Sequence, residues 1–309
     1  MRQDQKIVIL LATFNGAQHI REQLASFVSQ SYQNWELVVS DDGSRDGTPE
    51  IVAEFGRTVP QKVSVLIGPK RGFWMNFLSL VKQTDDTKGD LFAFSDQDDI
   101  WLPGKLERAA QWFADRAPGS PALYFTRTDL IREDGTPLGL SPLFRRAPSF
   151  QNALVQNIGG GNTMVMNRSA KRLLAQTPGG VSLISHDWWT YQLVTGAGGL
   201  AFYDPVPSLK YRQHRRNLVG SNKGLRQGFI RATAFLNRRM KQWNNVNLTA
   251  LNRMRPLFLQ QNLRTLDSFL MAREAGLPKR IYLLWRSGIY RQSVLQTIGI
   301  YLGAFFNLI

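Results

Sequence analysis

Short apolar segments alternate with helix-forming segments over the first hundred residues, and this alternation constrains the fold more than any other feature. Apolar runs of strand length are present at residues 7–11, 35–39, 63–67 and 91–94. Apolar residues at helical spacing predict helices over residues 17–30, from about 46 to 55, and over 73–83. Continuous apolar strands that alternate with helices are typical of a mostly parallel, doubly wound α/β sheet.

Polar residues follow each predicted strand. Thr13 and Asn15 follow the first strand, and Asp41 and Asp42 follow the second. In open α/β sheets, ligands bind beyond the carboxyl ends of the strands. An aspartate in this position can accept the N–H of a pyrimidine base or bond a ribose hydroxyl, whereas Asp-Gly-Ser is also a common turn sequence. From the residues alone, both roles stay open.

The densest group of acids follows the fourth strand. Asp96, Asp98 and Asp99 lie within four residues, directly after the apolar run 91–94. Carboxylates crowded at the end of a buried strand repel one another, and a hard divalent cation is the usual compensation. Mg²⁺ or Mn²⁺ bound by one or two carboxylates and by substrate phosphates fits this spacing. The alternative is a polar turn that caps a helix starting near Pro103.

Other nucleotide-binding fingerprints are absent from the sequence. The chain has no G-x-G-x-x-G after the first strand and no G-x-x-x-x-G-K-[ST], so Rossmann dinucleotide binding and P-loop chemistry lack their motifs. It has no cysteine, which excludes disulfides, thiolate metal sites and a cysteine nucleophile. Lys70 and Arg71 follow the third strand, where they can face a diphosphate or form a solvated surface pair.

Four motifs resemble those of family 2 glycosyltransferases in their order and spacing. They are Ala12–Asn15, Gln30–Tyr32, Glu36–Ser44 and Ser95–Pro103. The resemblance covers about residues 6–215. It implies the GT-A fold, a nucleotide-diphosphate sugar donor, a divalent metal (Mg²⁺ or Mn²⁺) and inversion at the anomeric carbon. The sequences at 96–101, 159–162 and 186–189 most resemble bacterial rhamnosyltransferases of O-antigen or exopolysaccharide assembly.

The resemblance also implies roles for individual residues. Asp98 matches the direct metal ligand, and Asp96 matches a ligand of the metal or of the ribose. His214 matches a late histidine that contacts the metal or the diphosphate. Asp42 matches the acid that reads the pyrimidine base. The implied nucleotide-sugar site comprises Thr13, Asn15, Asp41, Asp42, Arg71, Asp96 and Trp101.

Asp187 falls where the family places its catalytic base. Inverting transfer needs a base that removes the proton of the acceptor hydroxyl as this hydroxyl attacks. The alternative role for Asp187 is the N-cap of a helix over 188–194. The implied acceptor site comprises Gly160, Gly161, His186, Trp188 and Trp189. The tryptophan rings can stack on a sugar or fill the core, and the glycines can admit a ligand or form a plain turn.

Nearly all of the excess positive charge lies in the last third of the chain. Residues 1–209 contain 20 Lys and Arg against 21 Asp and Glu, whereas residues 210–309 contain 18 against 2. This asymmetry predicts an anionic partner for the C-terminal region. Nucleic acid is disfavoured because the chain has no recognised nucleic-acid-binding motif. Residues 226–245 place Phe229, Leu236, Met240 and Trp243 on one helical face, as in a helix that lies in a membrane interface.

These patterns predict a GT-A catalytic domain over residues 1–221, with a nucleotide-sugar half to about 105 and an acceptor half from 106. A basic helical extension over 222–309 follows. The final 18 residues carry no charge, but a spanning helix needs about 20 apolar residues, which favours attachment at one membrane surface or homodimer packing. The apolar run that ends at Ala12 is too short for a signal peptide and predicts a cytoplasmic protein on the inner face of the bacterial membrane.

The predicted function is metal-dependent, inverting transfer of L-rhamnose from dTDP-L-rhamnose to a glycan or a polyprenyl-linked saccharide. A UDP-hexose donor is the alternative within the family. A nucleotidyltransferase would need a basic residue in the loop after the first strand, which Thr13–Ala17 lacks. A non-catalytic, membrane-peripheral binding module is disfavoured because Asp96, Asp98 and Asp187 are all present.

Overall fold

The computed structural model describes residues 5–116, 119–213 and 239–309. The chain divides into two compact units. The first comprises Met1–Leu143, Gly159–Gln176 and Leu200–Gly220, and the second comprises Phe144–Ile158, Thr177–Gly199 and Ser221–Ile309. This division differs from a single predicted boundary at residue 221, because residues 144–158 and 177–199 pack with the C-terminal helices.

The strands of the first unit are short, and those in the middle of its larger sheet are buried. In chain order they are β1 (Ile7–Thr13), β2 (Trp35–Asp41), β3 (Val63–Ile67), β4 (Leu91–Ser95), β5 (Ile100–Trp101), β6 (Ala122–Thr126), β7 (Asp129–Arg132), β8 (Pro137–Leu140), β9 (Val165–Asn167), β10 (Leu200–Asp204) and β11 (Leu209–Gln213). Within the described residues they form a seven-stranded sheet in the order β10-β6-β9-β4-β1-β2-β3 and a four-stranded sheet in the order β5-β11-β7-β8.

The larger sheet is mostly parallel. β9 is antiparallel to β4 and β6, and the other neighbouring strands run parallel to one another. The carboxyl ends of β1, β2, β3 and β4 therefore lie at the same edge of the sheet. The predicted α/β class is confirmed, and the polar motifs follow strands that end together.

The helices, in chain order, are α1 (Ile20–Val28), α2 (Thr48–Thr58), α3 (Phe73–Gln83), α4 (Lys105–Ala114), α5 (Phe150–Ala153), α6 (Arg168–Ala175), α7 (His186–Gly196), α8 (Arg239–Arg253), α9 (Gln260–Glu274), α10 (Leu277–Ser287) and α11 (Val294–Phe305). The first begins later than the sequence predicts, because the carbonyl of Gly16 accepts N–H groups from His19 and Ile20 in a turn that precedes the helix.

Successive side chains of a strand point to opposite faces of the sheet, so a continuous apolar strand presents apolar side chains on both faces. Helices cover both faces of the larger sheet. Ile7, Ile9 and Leu11 of β1 belong to one core cluster with residues of α1, α2 and α4. On the other face, Phe77 of α3 contacts Phe94 of β4 with ring centroids 5.2 Å apart. Each fully buried aliphatic side chain contributes about 1.5–3 kcal/mol to folding, so burial on both faces explains the unbroken apolar sequences of β1 and β4.

The second unit is helical in the residues that the structure describes. Asn262 of α9 donates to the carbonyl oxygens of Thr195 and Gly196, both at 2.9 Å, and so satisfies the end of α7. None of the helices in residues 5–116, 119–213 and 239–309 is long and apolar enough to cross a membrane. Most of the amphipathic helix predicted over 226–245, including Phe229 and Leu236, lies outside the described residues.

Candidate active site

Asp41 organises the turn that follows β2. Its Oδ1 accepts the backbone N–H groups of Gly43 at 3.0 Å and of Ser44 at 2.7 Å. Its Oδ2 accepts the hydroxyl of Thr13 at 2.8 Å, and the backbone N–H of Asp42 reaches the Thr13 carbonyl at 2.8 Å. The turn role considered for Asp41 is therefore present, and the same contacts bring the ends of β1 and β2 together.

Asn15 continues this arrangement in the loop after β1. Its φ of 48° places it in the left-handed region, which asparagine tolerates better than most residues. Its side-chain oxygen accepts the N–H of Arg45 at 3.0 Å, and its own N–H reaches the hydroxyl of Ser44 at 2.8 Å. Asn15 thus holds the first loop against the turn after β2.

Asp42 connects the end of β2 to the loop that follows β3. One carboxylate oxygen accepts the N–H of Lys70 at 2.6 Å, and the other accepts the N–H of Gly72 at 2.9 Å. Lys70 and Gly72 have φ values of 57° and 90°, so the loop is bent toward the carboxylate. A carboxylate has about four acceptor positions, which leaves capacity for a further donor. Arg71 is exposed between these two residues.

Asp96 and Asp98 lie at the carboxyl end of β4 and are half-buried. Between them, the side-chain amide of Gln97 pairs with the backbone of Phe14: its oxygen accepts the Phe14 N–H at 2.8 Å, and its nitrogen donates to the Phe14 carbonyl at 3.0 Å. A Cβ on Gly16 would lie 2.3 Å from the Gln97 Oε1, so a side chain at this position would displace Gln97 from these hydrogen bonds. The loop after β4 that carries Asp96 and Asp98, here termed the acid loop, is thereby packed against the loop after β1.

The donor set at this edge suits a hard divalent cation. Asp96 and Asp98 offer carboxylate oxygens that are not fully buried, and Mg²⁺ is commonly held by one or two carboxylates with substrate phosphates completing its shell. Within the described residues there is no cluster of three or more metal-binding side chains. His214 lies outside the described residues.

Asp99, the third acid of the run, has a different environment from its neighbours. It is buried, its Oδ2 accepts the side-chain amide of Asn162 at 2.5 Å, and its Oδ1 accepts the N–H of Arg212 at 3.2 Å. Burial, and then the charge of Asp98, raise the pKa of Asp99. Burial also lowers the pKa of Lys105, whose ammonium donates to the Asn162 carbonyl at 2.8 Å. The sequence shows the acid run but does not indicate which acid turns inward.

Arg212 supports the acid loop from β11. The residue is buried, and its Nε donates to the carbonyl of Asp98 at 3.1 Å. The same guanidinium donates to the Glu133 carbonyl at 2.7 Å and to the Glu22 carboxylate at 2.6 Å. A planar guanidinium with five N–H donors can hold several acceptors in a fixed geometry. Sequence reasoning missed this residue, because an arginine in a short strand has no distinguishing pattern.

Trp101 does not lie where a nucleotide sugar could touch it. Its side chain is 1% exposed, and its ring meets that of Phe27 edge to face, with centroids 4.7 Å apart. The Lys105 ammonium lies 4.5 Å from the ring centroid. The predicted donor contact of Trp101 is therefore wrong: β5 turns this side chain into the core, where burying a large ring is favourable.

The glycine run forms a tight turn in the first unit. Gly161–Thr163 is a single 3₁₀ turn. Gly161 is buried, whereas Gly160, which precedes the turn, is exposed. A Cβ on Gly159 would lie 2.5 Å from the Phe125 ring, and a Cβ on Gly160 would lie 2.7 Å from the Asn162 Oδ1. Close packing within the protein thus explains the absence of side chains at these two positions.

Asp187 lies in the second unit, in the first turn of α7. Ser185 occupies the N-cap position, so the predicted capping alternative for Asp187 is wrong. The Asp187 carboxylate accepts the N–H of Trp188 at 2.7 Å and is half-buried, which leaves it accessible. The expectation that Asp187 is the base stays a prediction.

The aromatic residues around Asp187 are buried. The indole N–H of Trp188 donates to the Ala153 carbonyl at 2.7 Å, and that of Trp189 donates to the Thr177 hydroxyl at 2.9 Å. His186 is buried too, and burial lowers its pKa to about 4. Of the two roles considered for the tryptophans, the structure shows core packing. The burial of His186, Trp188 and Trp189 therefore contradicts the predicted contacts of these side chains with a sugar.

The loops after β1, β2, β3 and β4 form one hydrogen-bonded edge, which carries a pair of accessible carboxylates and suits a nucleotide diphosphate. Together with the mostly parallel sheet, this edge defines a nucleotide-sugar enzyme with the GT-A fold. The model of the family described as Glycosyl transferase family 2 matches residues 8–174. The chain belongs to this family and is an inverting glycosyltransferase that uses a nucleotide-sugar donor.

Two curated relatives illustrate the family. The chain is 29% identical over 224 residues to the dTDP-rhamnosyl transferase RfbG of Shigella flexneri, an alignment that covers 69% of this chain and 74% of the relative. It is 28% identical over 165 residues to the putative teichuronic acid biosynthesis glycosyltransferase TuaG of Bacillus subtilis, with 52% and 62% covered.

Solved structures share the fold at low sequence identity. One is the mannosyltransferase PcManGT from Pyrobaculum calidifontis in complex with GDP-Man and Mn²⁺, with a TM-score of 0.53, 18% identity, and 98% and 87% of the two chains covered. Another is S. aureus TarS 1-349 in complex with UDP-GlcNAc, with a TM-score of 0.55, 17% identity, and 92% and 93% covered.

Proposed function

We propose that this glycosyltransferase moves L-rhamnose from dTDP-L-rhamnose to a lipid-linked or cell-surface glycan, with inversion and with a divalent metal. The observation that supports the site is the hydrogen-bonded edge that joins Asp41, Asp42 and the loop of Asp98. The similarity to the dTDP-rhamnosyl transferase of Shigella flexneri supports the donor. A UDP-hexose is the alternative donor.

The contacts of these residues support the proposed donor-binding roles. Asp42 retains acceptor capacity beyond its bonds to Lys70 and Gly72 and would accept the pyrimidine N–H. Asp41, with Thr13 and Asn15, would shape the wall beside the base. Arg71 is exposed and would neutralise the diphosphate.

Asp98 would hold Mg²⁺ or Mn²⁺, with Asp96 as a second ligand of the metal or of the ribose. When bound, the cation supplies Lewis-acid stabilisation of the charge on the departing diphosphate. Gln97 and Arg212 hold the backbone on both sides of Asp98 through the Phe14 peptide and the Asp98 carbonyl. The carboxylate is therefore kept in place before the donor arrives.

Asp187 would act as the general base. The acceptor hydroxyl attacks the anomeric carbon, its proton passes to the Asp187 carboxylate, and the bond from that carbon to the diphosphate oxygen breaks. The half-buried carboxylate is accessible to an acceptor. Gly160, which is exposed, would border the acceptor through its backbone.

The decisive experiment measures nucleotide release from a panel of donors: dTDP-L-rhamnose, UDP-glucose, UDP-GlcNAc and GDP-mannose. Each donor is incubated with the full chain and Mg²⁺, Mn²⁺ or EDTA. We expect release from dTDP-L-rhamnose that EDTA abolishes. Release from a UDP-hexose alone would replace the donor assignment. A nucleotidyltransferase would release pyrophosphate from a nucleoside triphosphate, and a binding module would bind a donor without turnover.

The second unit carries an apolar surface that supports peripheral attachment to a membrane. On α11 the exposed apolar residues recur at helical spacing, whereas Ile300, Gly303 and Ala304 are buried on the other side. Two aromatic residues of α10 are exposed as well. This surface, here termed the apolar face, comprises Tyr282, Trp285, Val294, Leu295, Ile298, Leu302, Phe305 and Phe306. Aromatic and aliphatic side chains on such a face bury themselves at the headgroup boundary.

The charge around the apolar face favours an anionic bilayer over a second copy of the chain. Residues 239–309 contain ten Lys and Arg against two Asp and Glu, and Lys279 and Arg286 of α10 are exposed. Each basic residue near an anionic leaflet contributes about 1 kcal/mol of binding free energy. Two copies that meet through this basic surface would repel one another. The inner face of the bacterial membrane, where lipid-linked saccharides are presented, is the proposed location.

Vesicle sedimentation with the full chain tests the attachment. We expect binding to phosphatidylglycerol vesicles and much weaker binding to phosphatidylcholine vesicles. Leu302→Glu should abolish binding, whereas Gln296→Glu, the same charge on an exposed position off the apolar face, should leave it nearly unchanged. A Leu302→Glu protein that binds vesicles normally but changes from dimer to monomer in light scattering would show a dimer interface instead.

A further inference from the structure

A buried cluster connects the acid loop with the glycine run. Asn162 is held at two points: its side-chain amide donates to Asp99 at 2.5 Å, and its carbonyl accepts the Lys105 ammonium at 2.8 Å. The three side chains are between 1% and 3% exposed. These contacts join the acid loop, the start of α4 and the glycine run, which are far apart in the chain.

Both ends of the cluster are adjacent to residues of the proposed site. Asp99 directly follows Asp98 in the chain. Asn162 follows the turn at Gly160, whose carbonyl accepts the N–H and the hydroxyl of Thr163 at 2.9 and 2.7 Å. A Cβ on Gly160 would lie 2.7 Å from the Asn162 Oδ1, so the Asn162 side chain lies against this turn. A shift of Asn162 would therefore move Gly160.

Burial of the polar groups in this cluster costs free energy unless each group has its hydrogen-bond partners. The Asp99 carboxyl group is buried beside Asp98 in the chain, so it loses hydration and needs hydrogen-bond partners within the protein. Two N–H donors, from Asn162 and Arg212, occupy separate oxygens of this carboxylate. Removing one partner of a buried charged group is strongly destabilising, whereas an apolar replacement of the whole set is often tolerated. The cluster thus favours one geometry.

We propose that Asp99, Asn162 and Lys105 are positioning residues that fix the Gly160 turn relative to the loop of Asp96 and Asp98. This inference rests on the proposed function, because it assigns the turn to the acceptor side and the acid loop to the donor side. The cluster sets the distance between them. Its loss should impair transfer to the acceptor more than hydrolysis of the donor by water.

Exchange of the two side chains tests the positioning role. In Asp99→Asn, one of the two N–H donors faces an amide NH₂ instead of an oxygen; in Asn162→Asp, two carboxylates face each other. The double variant Asp99→Asn/Asn162→Asp restores a carboxylate–amide pair in reversed order, with an amide oxygen left for the Arg212 N–H. A purely additive structural effect would make the double variant the worst of the three.

We expect each single variant to lower the rate of sugar transfer about 10–100-fold, with a raised acceptor KM, while metal-dependent donor hydrolysis stays within about threefold of wild type. The double variant should regain most of the transfer rate. Equal losses of transfer and hydrolysis, or no rescue in the double variant, would overturn the proposal.

Hydrogen exchange at residues 159–163 gives a readout without turnover. We expect faster exchange in both single variants and wild-type exchange in the double variant, and unchanged exchange in the single variants would contradict the positioning role. A wild-type protein that releases nucleotide from no donor refutes the proposed function instead, and the exchange measurement still decides the connection between the two loops.

Discussion

The side-chain amide of Gln97 pairs with both backbone groups of Phe14, at 2.8 and 3.0 Å, in the way that one strand pairs with another. Gln97 lies between the proposed metal ligands Asp96 and Asp98, and Phe14 lies in the loop after β1. The middle residue of the acid motif therefore has a structural role. It holds the acid loop against the loop that borders the proposed nucleotide site.

Gln97→Ala removes both of these hydrogen bonds. We expect the KM for the nucleotide sugar to rise about tenfold, because the two loops lose their fixed spacing. Thermal unfolding should show a loss of about 1–2 kcal/mol in the free energy of unfolding. Gln83→Ala, which changes an exposed glutamine of α3, serves as the control and should leave KM unchanged. An unchanged KM in Gln97→Ala would refute the positioning role.

Asp42→Asn tests whether the carboxylate organises the loop after β3. The amide has one acceptor oxygen, but the N–H groups of Lys70 and Gly72 need two acceptors. One of them would then face an NH₂ group, which costs about 1–3 kcal/mol. We expect weaker dTDP binding in calorimetry and a lower melting temperature. Normal dTDP affinity in a destabilised protein would mean that Asp42 only supports the loop.

Substitution of the half-buried acids tests the proposed metal site. Asp98→Asn should lower Mn²⁺-dependent nucleotide release more than about 100-fold, and Asp96→Asn should weaken Mn²⁺ binding to a smaller extent. Paramagnetic titration of Mn²⁺ in the presence of dTDP measures the binding directly. Asp134→Asn, in an exposed loop, is the matched control. Full Mn²⁺ binding and activity in Asp98→Asn would remove the site from this loop.

Much of the fold follows from the sequence, because continuous apolar strands at short intervals leave few alternatives to a parallel sheet. The clustering of Asp41, Asp42 and the acid run follows as well, since parallel strands end at one edge. The orientation of individual side chains could not be predicted from the sequence. Asp98 and Asp99 are neighbours in a run of acids, yet one is half-buried and the other is buried with Asn162 and Arg212, which lie far away in the chain.

The aromatic residues show the same limit. Trp101, Trp188 and Trp189 resemble sugar-binding residues when only their neighbours in the sequence are considered, but each is buried. A tryptophan that follows polar residues can turn toward either solvent or the core, and partners such as Phe27 and Thr177 decide this. The division into two units could not be predicted from the sequence either, because it depends on packing between segments distant in sequence.

Because Trp101 is buried, its substitution should lower the stability of the protein without changing donor binding. Trp101→Phe keeps an aromatic ring but leaves unfilled volume beside Phe27, and we expect a loss of about 1–3 kcal/mol in the free energy of unfolding. The KM for the nucleotide sugar should stay within about threefold of the wild-type value. Urea unfolding and donor kinetics on the same preparation check both expectations. A large rise in KM without loss of stability would restore the donor contact that the structure contradicts.

The buried imidazole of His186 should make stability depend on pH. Burial lowers its pKa from 6.5 to about 4 in the folded protein, although the charge of the adjacent Asp187 acts in the opposite direction. Because the folded-state pKa is the lower one, the unfolded chain binds a proton first as the pH falls. The stabilisation is complete above pH 6.5 and is lost progressively as the pH falls toward about 4. At 1.36 kcal/mol per pKa unit, the loss is about 3 kcal/mol.

Comparison of wild type with His186→Gln isolates this contribution. The substituted side chain does not titrate. Between pH 7 and pH 4.5, the free energy of unfolding of His186→Gln should therefore fall by about 2–3 kcal/mol less than that of wild type. Urea unfolding at several pH values measures the difference, and other acidic groups cancel because they are common to both proteins. Parallel curves for wild type and His186→Gln would mean that folding does not lower the pKa of the imidazole, which requires a partner able to offset its burial.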